Sequence, residues 1–308
     1  MTKKITIGTR GSKLALWQSN HVKDLIEKAF PEITVELKII QTKGDKILDV
    51  SLSKIGDKSL FTKEIELALL NNSADIAVHS LKDLPTVLPE GLQIGAVLER
   101  AEIRDVLISK NGLKLSELTK KHTIGTSSLR RQACLWNYNP ELNIIDIRGN
   151  VDTRIQKMHD GHCDAIIMAA AGIMRLGLEN HITEIIPTDI IKPATSQGII
   201  AVECRENDSE IEGILQKINH QQTWISAQAE RTFLNQMNGG CQLPLGCVST
   251  IKNNILQLDG LISSVDGKDV MEFSANGSTE NPSEIGKNLA AKFIEAGAER
   301  ILKNIEHA

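Results

Sequence analysis

The side chains with the clearest capacity for chemistry lie in residues 74–85. An apolar run at 76–78 predicts a strand, and Pro85 stops any helix beyond it. Four polar residues lie between them: His79, Ser80, Lys82 and Asp83. In open α/β sheets, ligands bind where the chain leaves the carboxyl end of a strand. We therefore expect Asp83 to keep its charge and face a ligand; a solvated polar turn is the alternative.

Arginine usage points to an anionic ligand. The chain has 24 lysines and 11 arginines, yet seven of the arginines fall between Arg100 and Arg175. Lysine suffices for solubility, whereas the planar guanidinium fork grips carboxylates and phosphates. Surface ion pairs are the alternative explanation.

Three successive predicted strands end in hydroxyl or guanidinium side chains. Residues 122–125, 143–147 and 164–168 are the strands. The side chains that follow them are Thr126, Ser127, Ser128, Arg130, Arg131, Arg148, Arg154 and Arg175. This repetition predicts a polyanion-binding edge on one sheet.

The start of the chain has a similar pattern. Residues 5–7 form a predicted strand that ends near Arg10, and Ser12 can cap the following helix. A glycine-bearing turn before a helix is a suitable anion site. Residues 42–59 lack apolar periodicity, which predicts a lid or a disordered connection before the helix that starts at Phe61.

The 308 residues predict two or three domains. We expect a first α/β lobe from residues 1–99 with 198–217, because a strand at 198–204 can rejoin the first sheet. Residues 100–197 then form an inserted second lobe, and two crossings make a hinge beside a cleft. Residues 218–308 are expected to form a small α+β domain.

The composition indicates where the protein is located in the cell and which classes of partner it lacks. Hydrophobic residues make up 41% and the net charge is −4, which favours a soluble protein without nucleic-acid or membrane partners. The chain begins without a secretory h-region, and the apolar run at 165–174 is too short to cross a bilayer. We therefore expect a cytoplasmic protein. A monomer is also expected.

The five cysteines argue against disulfides and zinc, since they are odd in number and form no CxxC pair. His159 and His162 lack the residues that would complete a metal site. We predict no metal.

Four motifs together resemble one enzyme family. They are HSLKDLP at 79–85, GTSSLRRQ at 125–132, RGNVDTR at 148–154 and GGCQLPLG at 239–246. Their order and spacing resemble hydroxymethylbilane synthase, also called porphobilinogen deaminase, from Ile5 to beyond Gly246.

The resemblance implies two α/β lobes like those of periplasmic binding proteins, joined by a hinge, plus a small α+β C-terminal domain. It implies a dipyrromethane cofactor attached through a thioether to Cys241. Four porphobilinogen molecules are condensed head to tail onto that primer with loss of ammonia. Hydrolysis then releases hydroxymethylbilane, an intermediate of tetrapyrrole biosynthesis.

The resemblance also implies residue roles. Asp83 is the catalytic carboxylate, which stabilises positive charge on pyrrole nitrogens and shuttles the proton. The cofactor-binding residues are Cys241, Lys82, Thr126, Ser127, Ser128, Arg130 and Arg131. The substrate-binding residues are Arg10, Ser12, Gln18, Arg148, Gly149, Arg154 and Arg175. The lid residues are Lys54, Lys58 and Phe61.

Other singled-out residues are expected to be structural. His79 is expected to be hydrogen-bonded scaffold, and Trp17 and Trp136 to be core. Four cysteines are expected to be small buried residues: Cys134, Cys163, Cys204 and Cys247.

The chain departs from the family pattern at two places. Asp57 and Ser59 stand where a common form has glycine, which predicts a stiffer, more acidic lid. Thr195 and Ser196 stand where a small residue or glycine is usual, close to the predicted hinge.

Two other classes of protein remain as alternatives. A two-lobed binding protein for a polycarboxylate would explain the hinge and the arginines, but not Cys241 within a Gly-Gly loop. A regulator with effector-binding lobes would need a helix-turn-helix, and Ile5 opens a strand directly.

Overall fold

The computed structural model describes residues 3–46, 61–238 and 243–301. The strands are β1 Lys3–Thr9, β2 Ile33–Ile39, β3 Ile76–Ser80, β4 Leu92–Val97, β5 Asp105–Ser109, β6 Thr123–Gly125, β7 Asn143–Ile145, β8 Ala165–Ala169, β9 Glu184–Ile185, β10 Ile200–Arg205, β11 Leu245–Lys252, β12 Ile255–Ser263 and β13 Val270–Ser278. The α-helices are α1 Lys13–Ala29, α2 Lys43–Lys46, α3 Lys63–Leu70, α4 Leu129–Tyr138, α5 Val151–His159, α6 Ala170–Arg175, α7 Ser209–Gln216, α8 Gln221–Gln236 and α9 Pro282–Glu295.

One compact unit holds the described residues 3–46, 61–101 and 198–224. Its sheet has the order β2-β1-β3-β10-β4. β1 is parallel to β2 and β3, whereas β10 is antiparallel to both of its neighbours. The core is dominated by isoleucine, leucine and valine from the strands and from α1 and α7. The strand predicted at residues 198–204 is therefore confirmed, and it does rejoin the first sheet.

The second unit holds the described residues 102–197, 225–238 and 243–301. Its five-stranded sheet has the order β7-β6-β8-β5-β9, the same arrangement as in the first unit. β6 is parallel to β7 and to β8, so the carboxyl ends of these three strands share one edge, as predicted.

The second unit also contains a three-stranded antiparallel sheet, β11-β12-β13. Phe233 of α8 and Phe293 of α9 are fully buried in its core, with ring centroids 5.4 Å apart. Two five-stranded mixed sheets and this smaller α+β part confirm the predicted fold class. The boundaries proposed for three domains stay a prediction.

Strand β11 was not among the strands predicted from the sequence. Asn253 and Asn254 have φ of 51° and 59° and join β11 to β12, as two-residue hairpin turns require. At the start of β11, Gly246 packs against the backbone of Pro193, and an added Cβ would lie 2.7 Å from the Pro193 carbonyl oxygen. That glycine therefore serves close packing within a strand.

The prediction that both tryptophans are core was wrong for Trp17. Its exposed fraction is 37%, and its ring stacks on His21 at 5.1 Å. The buried face of α1 carries Gln18, Val22 and Ile26, and position 17 lies beside that stripe. Trp136 is half-buried and donates to the Leu142 carbonyl at 3.1 Å.

Within the described residues, no helix is long and apolar enough to span a membrane. The same ranges contain no group of three or more His, Cys, Asp and Glu side chains placed to hold a metal ion.

Candidate functional site

Asp83 lies in a short 3₁₀ turn, Leu81–Asp83, directly after β3. Its side chain is exposed, whereas that of Lys82 is half-buried. The turn is tied to the sheet because the Leu81 amide donates to the Ile199 carbonyl at 3.0 Å. The carboxylate is therefore presented to solvent from a fixed strand end.

The end of β3 is held by buried polar contacts. His79 Nε2 lies 3.0 Å from Glu203 Oε2, and both side chains are buried. This confirms the expected scaffold role of His79. On α1, Gln18 Nε2 donates to Ser80 Oγ at 2.9 Å. Gln18 thus holds the hydroxyl that precedes the 3₁₀ turn.

Arg10 follows β1 and is engaged within its own unit. Its Nε lies 3.1 Å from Asp45 Oδ1, and its guanidinium carbon lies 4.2 Å above the Phe61 ring centre. Thr42 Oγ1 donates to Asp45 Oδ2 at 2.8 Å. Burial opposes the charge on Asp45, but Arg10 and Thr42 outweigh it and hold the pKa of this carboxyl below its usual range.

Ser12 has the predicted capping role, because its Oγ accepts from the Ala15 amide at 3.3 Å. Arg10 and Ser12 thus lie at the start of α1, as expected from the sequence. Of the predicted lid residues, Phe61 is described, and it packs against Arg10. Lys54, Lys58, Asp57 and Ser59 lie outside the described residues.

In the second unit, the residues after β6 form a hydrogen-bonded turn that opens α4. Ser127 Oγ donates to the Ile147 carbonyl and accepts from the Ile147 amide, both at 3.0 Å. Thr126 is buried, and its Oγ1 accepts from the Ser128 amide at 3.3 Å. Ser128 occupies the N-cap position, but its side chain makes no capping bond.

Arg130 and Arg131 are buried in the first turn of α4. Both donate to Asp105, with Nη2–Oδ distances of 3.0 and 2.7 Å. Gln197 Nε2 donates to the same carboxylate at 3.0 Å. Sequence reasoning missed Asp105 and Gln197 as site residues.

The RGNVDTR motif lies at the end of β7 and the start of α5. Gly149 has a φ of 124°, and an added Cβ would meet Thr153 Cγ2 at 2.7 Å, so glycine is required there. Arg154 Nε donates to the Gly149 carbonyl at 2.8 Å. Arg148 is half-buried beside this turn.

Arg175 ends α6, the short helix that follows β8. Burial lowers the pKa of Arg175 to about 10. A guanidinium that is partly removed from water is stabilised in its charged form by a nearby anion.

The segment after Pro193 is fixed by a buried carboxylate. Ser196 has a φ of 63°, a left-handed backbone conformation that favours glycine. Its amide donates to Glu230 Oε2, and Ser249 Oγ donates to Glu230 Oε1, both at 2.6 Å. Thr195 Oγ1 lies 3.5 Å from Cys247 Sγ.

Four cysteines are buried, as predicted: Cys134, Cys163, Cys204 and Cys247. Burial raises the pKa of Cys204 to about 12 and also raises the pKa of Cys134. Cys241 lies outside the described residues, so its predicted thioether stays a prediction.

The arginines of the second unit fit a ligand that carries carboxylates. Two buried guanidinium nitrogens, Arg131 Nε and Arg148 Nη1, have no hydrogen-bond partner among the described residues. Such donors are costly to bury unless an acceptor satisfies them. The acetate and propionate groups of a pyrrole cofactor are acceptors of the required charge.

These features define a mixed α/β protein in which basic and hydroxyl side chains follow the parallel strands of two similarly ordered sheets. Residues 5–213 match the family model for the porphobilinogen deaminase dipyromethane cofactor binding domain, and residues 224–295 match the C-terminal domain model. The chain belongs to the porphobilinogen deaminase family.

Curated relatives share about half of the sequence. The porphobilinogen deaminase of Syntrophomonas wolfei is 49% identical over 300 residues, covering 97% of this chain and 98% of the relative. That of Carboxydothermus hydrogenoformans is 50% identical over 305 residues, covering 99% and 98%. Among solved structures, a TRAP periplasmic solute binding protein from Desulfovibrio salexigens aligns with 75% of this chain and 76% of that chain, at 10% identity and a TM-score of 0.45.

Proposed function

We propose that this transferase condenses four porphobilinogen molecules, with loss of ammonia, onto a dipyrromethane primer and then releases hydroxymethylbilane by hydrolysis. The observation that carries the proposal is the row of strand ends in the second sheet. There, Arg131 and Arg148 keep buried guanidinium donors for which the described residues offer no acceptor. A product chain that gains an acetate and a propionate at every step supplies such acceptors.

Asp83 is the proposed catalytic residue. Loss of ammonia from a pyrrole substrate leaves positive charge that reaches the ring nitrogen, and the condensation releases a proton. An exposed carboxylate on a fixed turn can stabilise that charge and accept that proton. Lys82, beside it, offers an ammonium to carboxylates.

The cofactor supplies the pyrrole carbon onto which the substrate units are built. Cys241 would hold it covalently, because sulfur attacks a soft carbon electrophile and a thioether resists hydrolysis. Arg130 and Arg131 would bind its carboxylates. Hydroxyl groups at Thr126, Ser127 and Ser128 would add hydrogen bonds. Their position at one helix start favours an anion as well.

The remaining arginines would bind the substrate and the growing chain: Arg10, Arg148, Arg154 and Arg175. Arg10 would exchange its bond to Asp45 for a substrate carboxylate, with Ser12 and Gln18 alongside it on α1. Gly149 would allow close approach of the backbone. Lys54, Lys58 and Phe61 are the proposed lid residues.

The enzyme is further proposed to act as a cytoplasmic monomer without nucleic-acid or membrane partners. The described cysteines are buried thiols that form no disulfide with one another, which suits a reducing compartment. The net charge of −4 gives no general attraction to nucleic acid.

The purified chain is expected to consume four porphobilinogen molecules and release four ammonia molecules for each tetrapyrrole formed. Ammonia assay and chromatography of the product measure this ratio. A polycarboxylate-binding protein would bind porphobilinogen without releasing ammonia, and that outcome would reject the proposal.

Arg148→Lys and Arg154→Lys are expected to impair elongation with little change in melting temperature. Lysine keeps the charge but loses the planar fork. Native mass spectrometry should then detect enzyme with incompletely extended chains. Arg104→Lys is the control, since Arg104 forms a surface pair with Glu102 in the same unit. Parallel loss of melting temperature and activity would instead indicate structural ion pairs.

A further inference from the structure

Asp105 has no role in the function proposed above, yet it lies at the centre of a cluster of buried charged side chains. It is the first residue of β5, and its exposed fraction is 0%. Its Oδ1 accepts from Arg131 Nη2 and Gln197 Nε2, while its Oδ2 accepts from Arg130 Nη2. One carboxylate therefore fixes two arginines and one amide.

The cluster holds more positive than negative charge. Arg130 and Arg131 are 5% and 7% exposed, and an arginine in a protein stays protonated. Nearby, Lys192 pairs with Glu272 at 3.3 Å and adds no net charge. Among the described residues of this cluster, two guanidinium groups face one carboxylate, which leaves a single buried positive charge.

One nitrogen of Arg131 remains able to donate a hydrogen bond to a ligand. The Nη atoms of Arg131 donate to Asp105 and to the Ile167 carbonyl, at 2.7 and 3.2 Å. Its Nε is buried and has no hydrogen-bond partner among the described residues. If Asp105 served only to neutralise buried charge, we would expect one carboxylate for each guanidinium and no donor left over.

We propose that Asp105 is a positioning residue for the cofactor: it orients the forks of Arg130 and Arg131 and cancels only one of their charges. One positive charge and the Arg131 Nε donor are thereby kept for a carboxylate of the dipyrromethane. Gln197 fixes the orientation of the Asp105 carboxylate by donating the third hydrogen bond. This inference rests on the proposed function.

The test is the fraction of purified chains that carry the added cofactor mass, measured by denaturing mass spectrometry, beside the melting temperature. Asp105→Asn is expected to yield mostly chains of bare mass. Asp164→Asn is the control, because Asp164 also anchors this sheet, through the Thr123 amide at 2.7 Å, and contacts no arginine in the set above. This variant should have a lower melting temperature than the parent and still carry the added cofactor mass.

A second variant covers the case in which Asp105→Asn does not fold. Gln197→Met keeps both arginines and Asp105 but removes the donor that orients the carboxylate. Its folded chains are expected to be loaded less completely than the parent. Gln132→Met is the matched control, since Gln132 donates to the Thr126 carbonyl from the same helix as the arginines. It should load as the parent does.

Full loading of Gln197→Met, or of a folded Asp105→Asn chain, would overturn the positioning role of Asp105. The failure of the proposed function has a different signature, because the parent itself would then lack the added mass. Equal loss of loading in Asp105→Asn and Asp164→Asn at equal melting temperature would also overturn the inference, since it would reduce the effect to stability.

Discussion

Chains that carry Cys241→Ser are expected to have the mass of their bare sequence and no activity, whereas the parent is heavier by two linked pyrrole units. A thioether is covalent, so the added mass should survive denaturation. Without the cofactor, Arg131 would also lack an acceptor for its buried Nε donor, so the melting temperature should fall as well.

Cys247→Ser is the control for this experiment. Cys247 is fully buried and lies 3.5 Å from Thr195 Oγ1, so serine can keep that contact. This variant should retain the added mass and lose at most some stability. Active parent enzyme with a mass equal to its bare sequence would end the assignment of Cys241 as the anchor.

Asp83→Asn should retain the fold and the loaded cofactor while turnover falls by roughly 10²-fold or more, the scale of general acid–base and electrostatic contributions. An amide of the same shape neither accepts the proton nor carries the negative charge. A 10²-fold loss corresponds to about 2.7 kcal/mol of activation free energy. Single-turnover kinetics on loaded enzyme measure it.

Asp75→Asn is the matched control for Asp83. Asp75 precedes the same strand at its other end, where its Oδ2 accepts from the Thr6 amide at 2.8 Å. This substitution should lower the melting temperature and leave turnover of the folded enzyme near that of the parent. Parent-like turnover of Asp83→Asn would assign the catalytic carboxylate to another residue.

Local patterns were sufficient to predict much of the fold. Ser12 caps α1 as expected, and β6, β7 and β8 are parallel with their basic residues at one edge. These features depend on neighbouring residues and on hydrophobic periodicity. The hairpin between β11 and β12 has an equally local signal in Asn253-Asn254, although β11 was not predicted.

The Asp105 cluster could not be predicted in this way. Asp105 looks like an ordinary polar residue before a strand, and its partners lie 25, 26 and 92 positions away. Its role depends on tertiary contacts that bring β5, α4 and Gln197 together. Trp17 shows the opposite error. Its position in the helical spacing of apolar residues predicted burial, but it lies beside the buried stripe of α1 and is partly exposed.

The placement of β10 imposes an order on biosynthesis. β10 lies between β3 and β4, and its Glu203 is 124 positions away from His79. During synthesis, β1 to β4 leave the ribosome long before β10. Until β10 is made, the facing edges of β3 and β4 are unpaired and His79 lacks its Glu203 partner. The strands of the second sheet all come from residues 105–185. The inserted sheet therefore has all its strands while the sheet that hosts it is still incomplete.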